Sequence, residues 1–328
     1  MKRRRSLIEK LVGVRELPVI VLFAGLFIYF ALKAPNFMEL QGLLDDARQY
    51  APYAILAVGL TLIIGSGGID ISVGSVLGFS TVLLGVILSR TGSGLALAAL
   101  LAIGAGTAFG AFNGYAVAYL KLQPVVVTLS TMAAARGLAY VIAGTGISSI
   151  ALPDKAGWLQ EATNSTSAPV LLAIAIAVAG ALVMSQSALG RKILAIGGNE
   201  AATRFSGVDV QRVKLAVYAI TGALSGIAGV ITAGMFNSAT TDAGLGYEFE
   251  AITAVLIGGT SITGGEATVV GSVFGVMAAA VLSRGFGLMG ISEHWRMMFL
   301  GLILITSVLL DRVRKYAARR SAVGGAGL

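Results

Sequence analysis

The sequence predicts an all-α polytopic membrane protein of about ten transmembrane helices, and three observations carry that prediction. Apolar residues make up 56% of the chain and charged residues only 12%, with a mean hydropathy of +0.86. No soluble core of this chain length hides that much apolar surface, so lipid is the solvent for most of it. The apolar residues also fall in runs near the ~20 residues that cross a hydrocarbon core, and the basic residues cluster between the runs. The 44 glycines suit membrane helices packed closely enough for backbones to approach.

The N-terminal arm, residues 1–16, opens KRRR and precedes an apolar run without a convincing small-residue cleavage site. It reads as the flank of an uncleaved first span and not as a signal peptide. The transmembrane domain, 17–311, divides into spans at 17–33, 51–67, 72–89, 94–120, 124–143, 168–185, 214–235, 250–263, 267–284 and 296–311. Residues 312–328 form a C-terminal tail. Glycine-rich breaks interrupt the third and eighth spans, and backbone freed there must be shielded by protein or line a cavity. Between the first two spans, NFMELQGLLDDARQY fits an external helix lying in the interface, or an ordinary polar loop. Trp158 and Trp295 fit interfacial anchors.

Lys and Arg number 24 against 16 Asp and Glu, a net charge of +8. Their placement says more than their sum, and it points to membrane orientation and not to nucleic acid. Basic residues gather in the arm (Lys2 to Arg15), in the 185–214 loop (Arg191, Lys192, Arg204, Arg212, Lys214) and in the tail (Arg312 to Arg320). Acids such as Glu39, Asp45, Asp46, Asp154, Asp242, Glu248 and Glu250 fall in the other connections. The positive-inside rule then places both termini and the 185–214 loop in the cytoplasm, which requires an even number of spans. A weak internal echo, VGSVLG at 73–78 and VGSVFG at 270–275, follows a glycine-rich break each time. The span count makes it a parallel repeat, of the kind that places a transport pathway at the repeat interface.

No cysteine and a single histidine, His294, leave no thiolate chemistry and no metal site to assemble. No catalytic residue set is visible, and no G-x-x-x-x-G-K-[ST] loop offers to bind a nucleotide. An ion-coupled secondary transporter needs ionisable groups at mid-membrane, and only Asp70 and Arg136 are candidates. Asp70 suits capping of the helix that starts at Ser72. Arg136 suits snorkelling or pairing with an external carboxylate. A transporter so equipped takes its energy from a partner. The 185–214 loop holds a short helical stretch, Glu200 to Ser206, between Gly197-Gly198 and Gly207. It fits either a docking element for an energising partner or a solvated basic loop against anionic lipid.

GGIDISVGS (67–75), QPVVVTLSTM (123–132), GRKILAIGGNEAATRFSGV (190–208) and AVLIGGTSITGGEATVVGSVFGV (254–276) together resemble the membrane subunit of ribose-type importers of the ATP-binding-cassette (ABC) class. The resemblance covers nearly the whole chain. It implies a monosaccharide permease of the bacterial inner membrane, working with an ABC ATPase subunit, a periplasmic sugar-binding protein and a second permease copy, identical or related. It implies no cofactor in this chain, ATP and magnesium belonging to the ATPase. It also implies that Asn199, Glu200, Ala201, Arg204 and Gly207, with Gly190 and Arg191 at the start of the same segment, contact that ATPase. Branched-chain amino-acid permeases are the more distant alternative. A sugar pathway wants scattered amides and hydroxyls with some aromatic surface, which Asn113, Gln123, Thr128, Ser130, Phe236, Asn237 and Thr253 supply. The polar ones equally suit hydrogen bonding across packed helices.

Overall fold

The computed structural model describes residues 16–309 except Gly92, Thr145, Ser165, Thr166, Glu293, Leu300, Leu304, Ser307 and Val308. The C-terminal tail, nearly all of the basic arm and part of the tenth predicted span therefore lie outside the described residues. In chain order the elements are α1 (Leu17–Lys33), α2 (Leu40–Gly65), α3 (Val73–Arg90), α4 (Leu95–Ala118), α5 (Pro124–Ala143), β1 (Ser149–Ala151) and α6 (Gly157–Asn164). They continue as α7 (Ser167–Gln186), α8 (Ala188–Gly198), α9 (Glu200–Phe205), α10 (Val210–Phe236), β2 (Ser238–Thr240), α11 (Tyr247–Ile257) and α12 (Val269–Leu288). Among the described residues, seven helices are long and apolar enough to cross a membrane: α2, α3, α4, α5, α7, α10 and α12. The protein is a multi-pass, predominantly helical membrane protein.

The centre of the bundle is α10, which packs against α4, α3 and α2. Its contact with α4 is a glycine seam. Gly106 and Gly110 of α4 face Gly222 and Gly226 of α10, Gly114 of α4 lies against Leu215 and Tyr218, and a methyl added at Gly110 would fall against the Tyr218 carbonyl and the Gly222 backbone. The four-residue spacing keeps each set on one face, and the missing side chains bring the two backbones into van der Waals contact. Thr221, buried in the same helix, donates to the Gly59 carbonyl of α2 at 3.1 Å. Exposed Leu97, Leu100, Phe112, Leu171 and Val178 line the outer faces of α4 and α7, where lipid is the natural neighbour.

Two expectations need correction. The 36–50 segment is neither a separate interfacial helix nor a polar loop, since α2 runs unbroken from Leu40 to Gly65. Its charged first turns are held from elsewhere, by the Arg284 guanidinium to Asp46 at 3.0 Å and to the Phe37 carbonyl. The span predicted over 250–263 is an eleven-residue helix, α11, preceded by non-helical backbone. In consequence Glu248 and Glu250, assigned above to an external connection, are turned into the protein. Glu248 is buried, and Glu250 pairs with Arg296 at 2.7 Å. The echo segments do run in parallel: α3 and α12 both begin just after a break at one end of the bundle.

Candidate functional site

That end of the bundle is built from two short helices and two breaks. Ser187 caps α8 by accepting from the Gly190 amide at 3.1 Å. Gly190 fits there because its α-carbon lies against the Val183 and Met184 carbonyls of α7, where a side chain would not fit. Arg191, exposed, donates to the Gln186 carbonyl at 3.1 Å. Gly197-Gly198 precede the helical stretch as expected, but as the last residues of α8 and not as a break. The interruption is at Asn199, extended in backbone, whose side chain accepts from the Ala202 amide at 2.9 Å and so caps α9. Gly207 ends α9 in the left-handed region at φ 81°, which glycine adopts without a Cβ penalty.

Glu200 lies between two cations on this surface. Its carboxylate accepts from Arg204 at 3.1 Å and from Lys214, at the start of α10, at 2.6 Å. Burial pushes the Glu200 carboxyl up, but the Lys214 ammonium and the Arg204 guanidinium outweigh it and hold it below its ordinary value. The pair with Arg204 was legible from the spacing; the anchor to Lys214, which ties α9 to α10, was not. Sequence reasoning also missed Phe205. This ring ends α9 at 93% exposure, beside exposed Ala201 and Arg204. A bare aromatic between charged groups on a capped, doubly anchored helix has the composition of a protein-docking point.

Beneath α8 and α9 the two breaks meet. The Gly265 amide donates to the Gly65 carbonyl at 3.0 Å, and Gly197 of α8 lies against both residues so closely that no side chain fits. Gly67, Gly264 and Gly265 all have φ near +80°. The end of α8 thus touches the break before α3 and the break before α12 at one point. Just past the first break, Asp70 accepts from the Ser72 amide at 2.8 Å and the Ser72 hydroxyl at 2.6 Å. Asn113 donates to that hydroxyl at 3.0 Å and accepts from Thr131. All four are buried. The network satisfies backbone and side chains where water is absent, and Asp70 holds the helix start through Ser72, the residue before α3, and not through a first-turn amide of the helix.

At the opposite end, the chain leaves α10 at Phe236 and re-enters the bundle without helix. Ala239 packs on Gly85, the Ala243 carbonyl on Gly78 and the Gly244 carbonyl on Gly74, a descent of about 16 Å along α3 at helical rise. β2 pairs antiparallel with β1 at its start. Arg136 does not snorkel, and among the described residues it makes no direct ion pair. Its Nη1 donates to the carbonyls of Thr241 at 2.6 Å and Ala243 at 2.8 Å, serving backbone that no helix satisfies.

The pathway candidates do not converge. Asn113 sits in the buried network, and Thr128 and Thr253 are buried and bonded to carbonyls of their own helices. Ser130 is exposed and bonded to Val126 of its own helix. Gln123, exposed, immediately precedes α5. Phe236 and Asn237 stand at the opposite end, Asn237 as the left-handed cap of α10.

The family described as "Branched-chain amino acid transport system / permease component" matches residues 42–308, which include α8, α9, both breaks and the non-helical segment after α10. The chain belongs to this family. The permease is 36% identical to the ribose import permease protein RbsC of Escherichia coli (strain K12) over 289 residues, covering 86% of this chain and 89% of the relative. It is 35% identical to RbsC of Bacillus subtilis (strain 168) over 297 residues, covering 88% and 91%. With the L-arabinose transport system permease protein AraH of Escherichia coli (strain K12) it shares 32% over 303 residues, 92% of each. No solved structure matches the permease.

Proposed function

We propose that this permease is the membrane subunit of an ABC importer, moving a monosaccharide across a bacterial inner membrane. A separate ATPase, carrying its own ATP and magnesium, docks on α9. A periplasmic binding protein delivers the sugar to the opposite end, and a second permease copy completes the channel. The bundle then has ten spans, with the discontinuous 238–257 segment as one of them, and both termini and α8–α9 face the cytoplasm. The observation that carries this reading is the docking helix itself: an exposed Phe205 and a Glu200 held by two cations, mounted directly over the meeting point of two membrane breaks. Movement imposed on α9 by a closing ATPase pair reaches both breaks through Gly197.

The relatives' names support a pentose as substrate, while the family description leaves a branched-chain amino acid as the competing cargo. Uptake by cells expressing this chain with the ATPase and binding protein encoded beside it separates the two. Radiolabelled D-ribose or L-arabinose accumulates if the sugar reading holds. Accumulation of L-leucine with neither sugar contradicts it.

A further inference from the structure

Where the chain re-enters the bundle, its non-helical backbone borders a cavity of about 380 Å³. Backbone without helix is tolerated at membrane depth when it is enclosed by protein or lines a water-filled cavity, and broken spans of this kind hold cargo in transporters. Ser148, Ser149, Thr240, Asp242, Phe236 and Tyr247 stand among the residues around it. The hydroxyls of Ser148 and Thr240 make no hydrogen bond among the described residues. Asp242 has one carboxylate oxygen fixed by the Tyr140 phenol, which leaves the other to accept. Tyr247 is locked by stacking on Tyr53 with ring centroids 4.0 Å apart, and Phe236 presents its ring at 60% exposure.

We infer that this cavity is a monosaccharide site at the end of the permease opposite the docking helices. A sugar ring offers several hydroxyls, each donor and acceptor, and an apolar face of C–H groups. Free hydroxyls and a half-used carboxylate answer the first, and the rings of Tyr247, held by its stacking on Tyr53, and of Phe236 answer the second. The cavity lies at the small end of the ~300–1,000 Å³ range of ligand sites, which suits one ring and not a chain of them. The residues around it include one carboxylate and no basic side chain. An amino-acid zwitterion would bring its own carboxylate against Asp242, the nearby Arg136 standing behind the wall with its Nη1 committed to the Thr241 and Ala243 carbonyls, whereas a neutral polyol brings donors. The inference rests on the sugar reading above and gives it a location.

The chain has no cysteine, so a single introduced thiol reports without background. Thr240→Cys permease, reconstituted in proteoliposomes with its ATPase and binding protein, is labelled by a soluble maleimide in the presence of D-ribose, L-arabinose or L-leucine. Ala188→Cys at the other end is the control. A pentose that the transporter carries slows labelling at position 240 and leaves position 188 unchanged. Asp242→Asn and Thr240→Val each lower the apparent affinity for that sugar about tenfold, the loss of one good hydrogen bond from a charged or desolvated site, with normal membrane insertion. Unslowed labelling at 240 while the sugar is transported places the site elsewhere and leaves the sugar reading intact. Protection and uptake with L-leucine, and with neither sugar, overturns both.

Discussion

The Gly265 amide donates to the Gly65 carbonyl across 3.0 Å, joining two membrane breaks that lie 200 residues apart in sequence. Both glycines lie against α8, Gly65 near Ile193 and Gly265 near Gly198. Gly197, at the end of α8, is wedged against both. Through this contact a surface element reaches the starts of α3 and α12, the two parallel helices that carry the repeated VGSV segment. A rigid-body tilt of α8–α9 cannot leave the two breaks unmoved, because a junction packed backbone on backbone has no slack.

Gly197→Ala and Gly198→Ala test that junction as a pair. A methyl at 197 falls on the Gly65 carbonyl and the Gly265 amide, whereas one at 198 meets nothing within 4 Å. Overpacking of this kind costs about 1–3 kcal/mol. Gly197→Ala therefore lowers the thermal midpoint of the detergent-solubilised permease and reduces coupled transport, and Gly198→Ala leaves both near wild type. Equal behaviour of the two would remove the junction from the mechanism.

Glu200→Ala removes both ion pairs of α9. The carboxylate is 42% exposed, so after solvent screening each pair is worth ~0.5 kcal/mol or less to stability, and insertion into the membrane is unchanged. Receptor-stimulated ATP hydrolysis and transport fall together, because α9 is no longer tied to Lys214. The pH dependence follows from the lowered carboxyl. Its contribution is complete above the ordinary carboxylate value of 4.5 and is lost only as pH falls through the lower folded value. Between neutral and mildly acid pH the anchor holds, and a change in ATPase coupling across that interval argues against it.

Phe205→Ala separates docking from folding most cleanly. At 93% exposure the ring contributes almost nothing to the permease alone, so the thermal midpoint stays constant. As an aromatic anchor at a protein interface it is worth about 2 kcal/mol or more, roughly a thirtyfold loss in affinity for the ATPase. Copurification and titration of ATPase binding read this directly, and unchanged affinity means the partner binds elsewhere.

Arg136→Leu takes the donor from the Thr241 and Ala243 carbonyls. Buried acceptors left unpaired cost about 1–3 kcal/mol each, so this variant loses stability in detergent. Arg136→Lys, which keeps a charge but offers no planar fork, recovers only part of it. Full stability in Arg136→Leu would show that water serves this backbone instead.

Spans bounded by sharp changes in polarity were legible in the sequence. Residues 17–33, 72–89, 124–143 and 168–185 agree with α1, α3, α5 and α7 to within a residue or two, because proline, capping residues or charges mark their ends. The start of α2 was hidden because its charges are neutralised by Arg284, some 240 residues on. The non-helical descent after β2 was hidden because its carbonyls are served by Arg136, a residue that in isolation reads as a snorkelling cation. The Asp70 bond to Ser72 at the start of α3 is local, and therefore readable. The cavity residues, Phe236 aside, were missed because common hydroxyl residues signal nothing until the fold gathers them. Phe205 was missed because a lone aromatic in a polar stretch usually marks a buried anchor, not an exposed one.

In the proposed mechanism the energy for uptake arrives from a partner through α9. Purified permease in proteoliposomes, alone and with its ATPase and binding protein, is assayed for pentose accumulation against a gradient. The complete assembly accumulates sugar only with ATP inside the liposomes, keeps doing so in the presence of a proton uncoupler, and stops when Phe205 and Glu200 are both replaced by alanine. Uphill uptake by the permease alone, abolished by collapsing the ion gradient, would contradict the account and make this chain a secondary transporter.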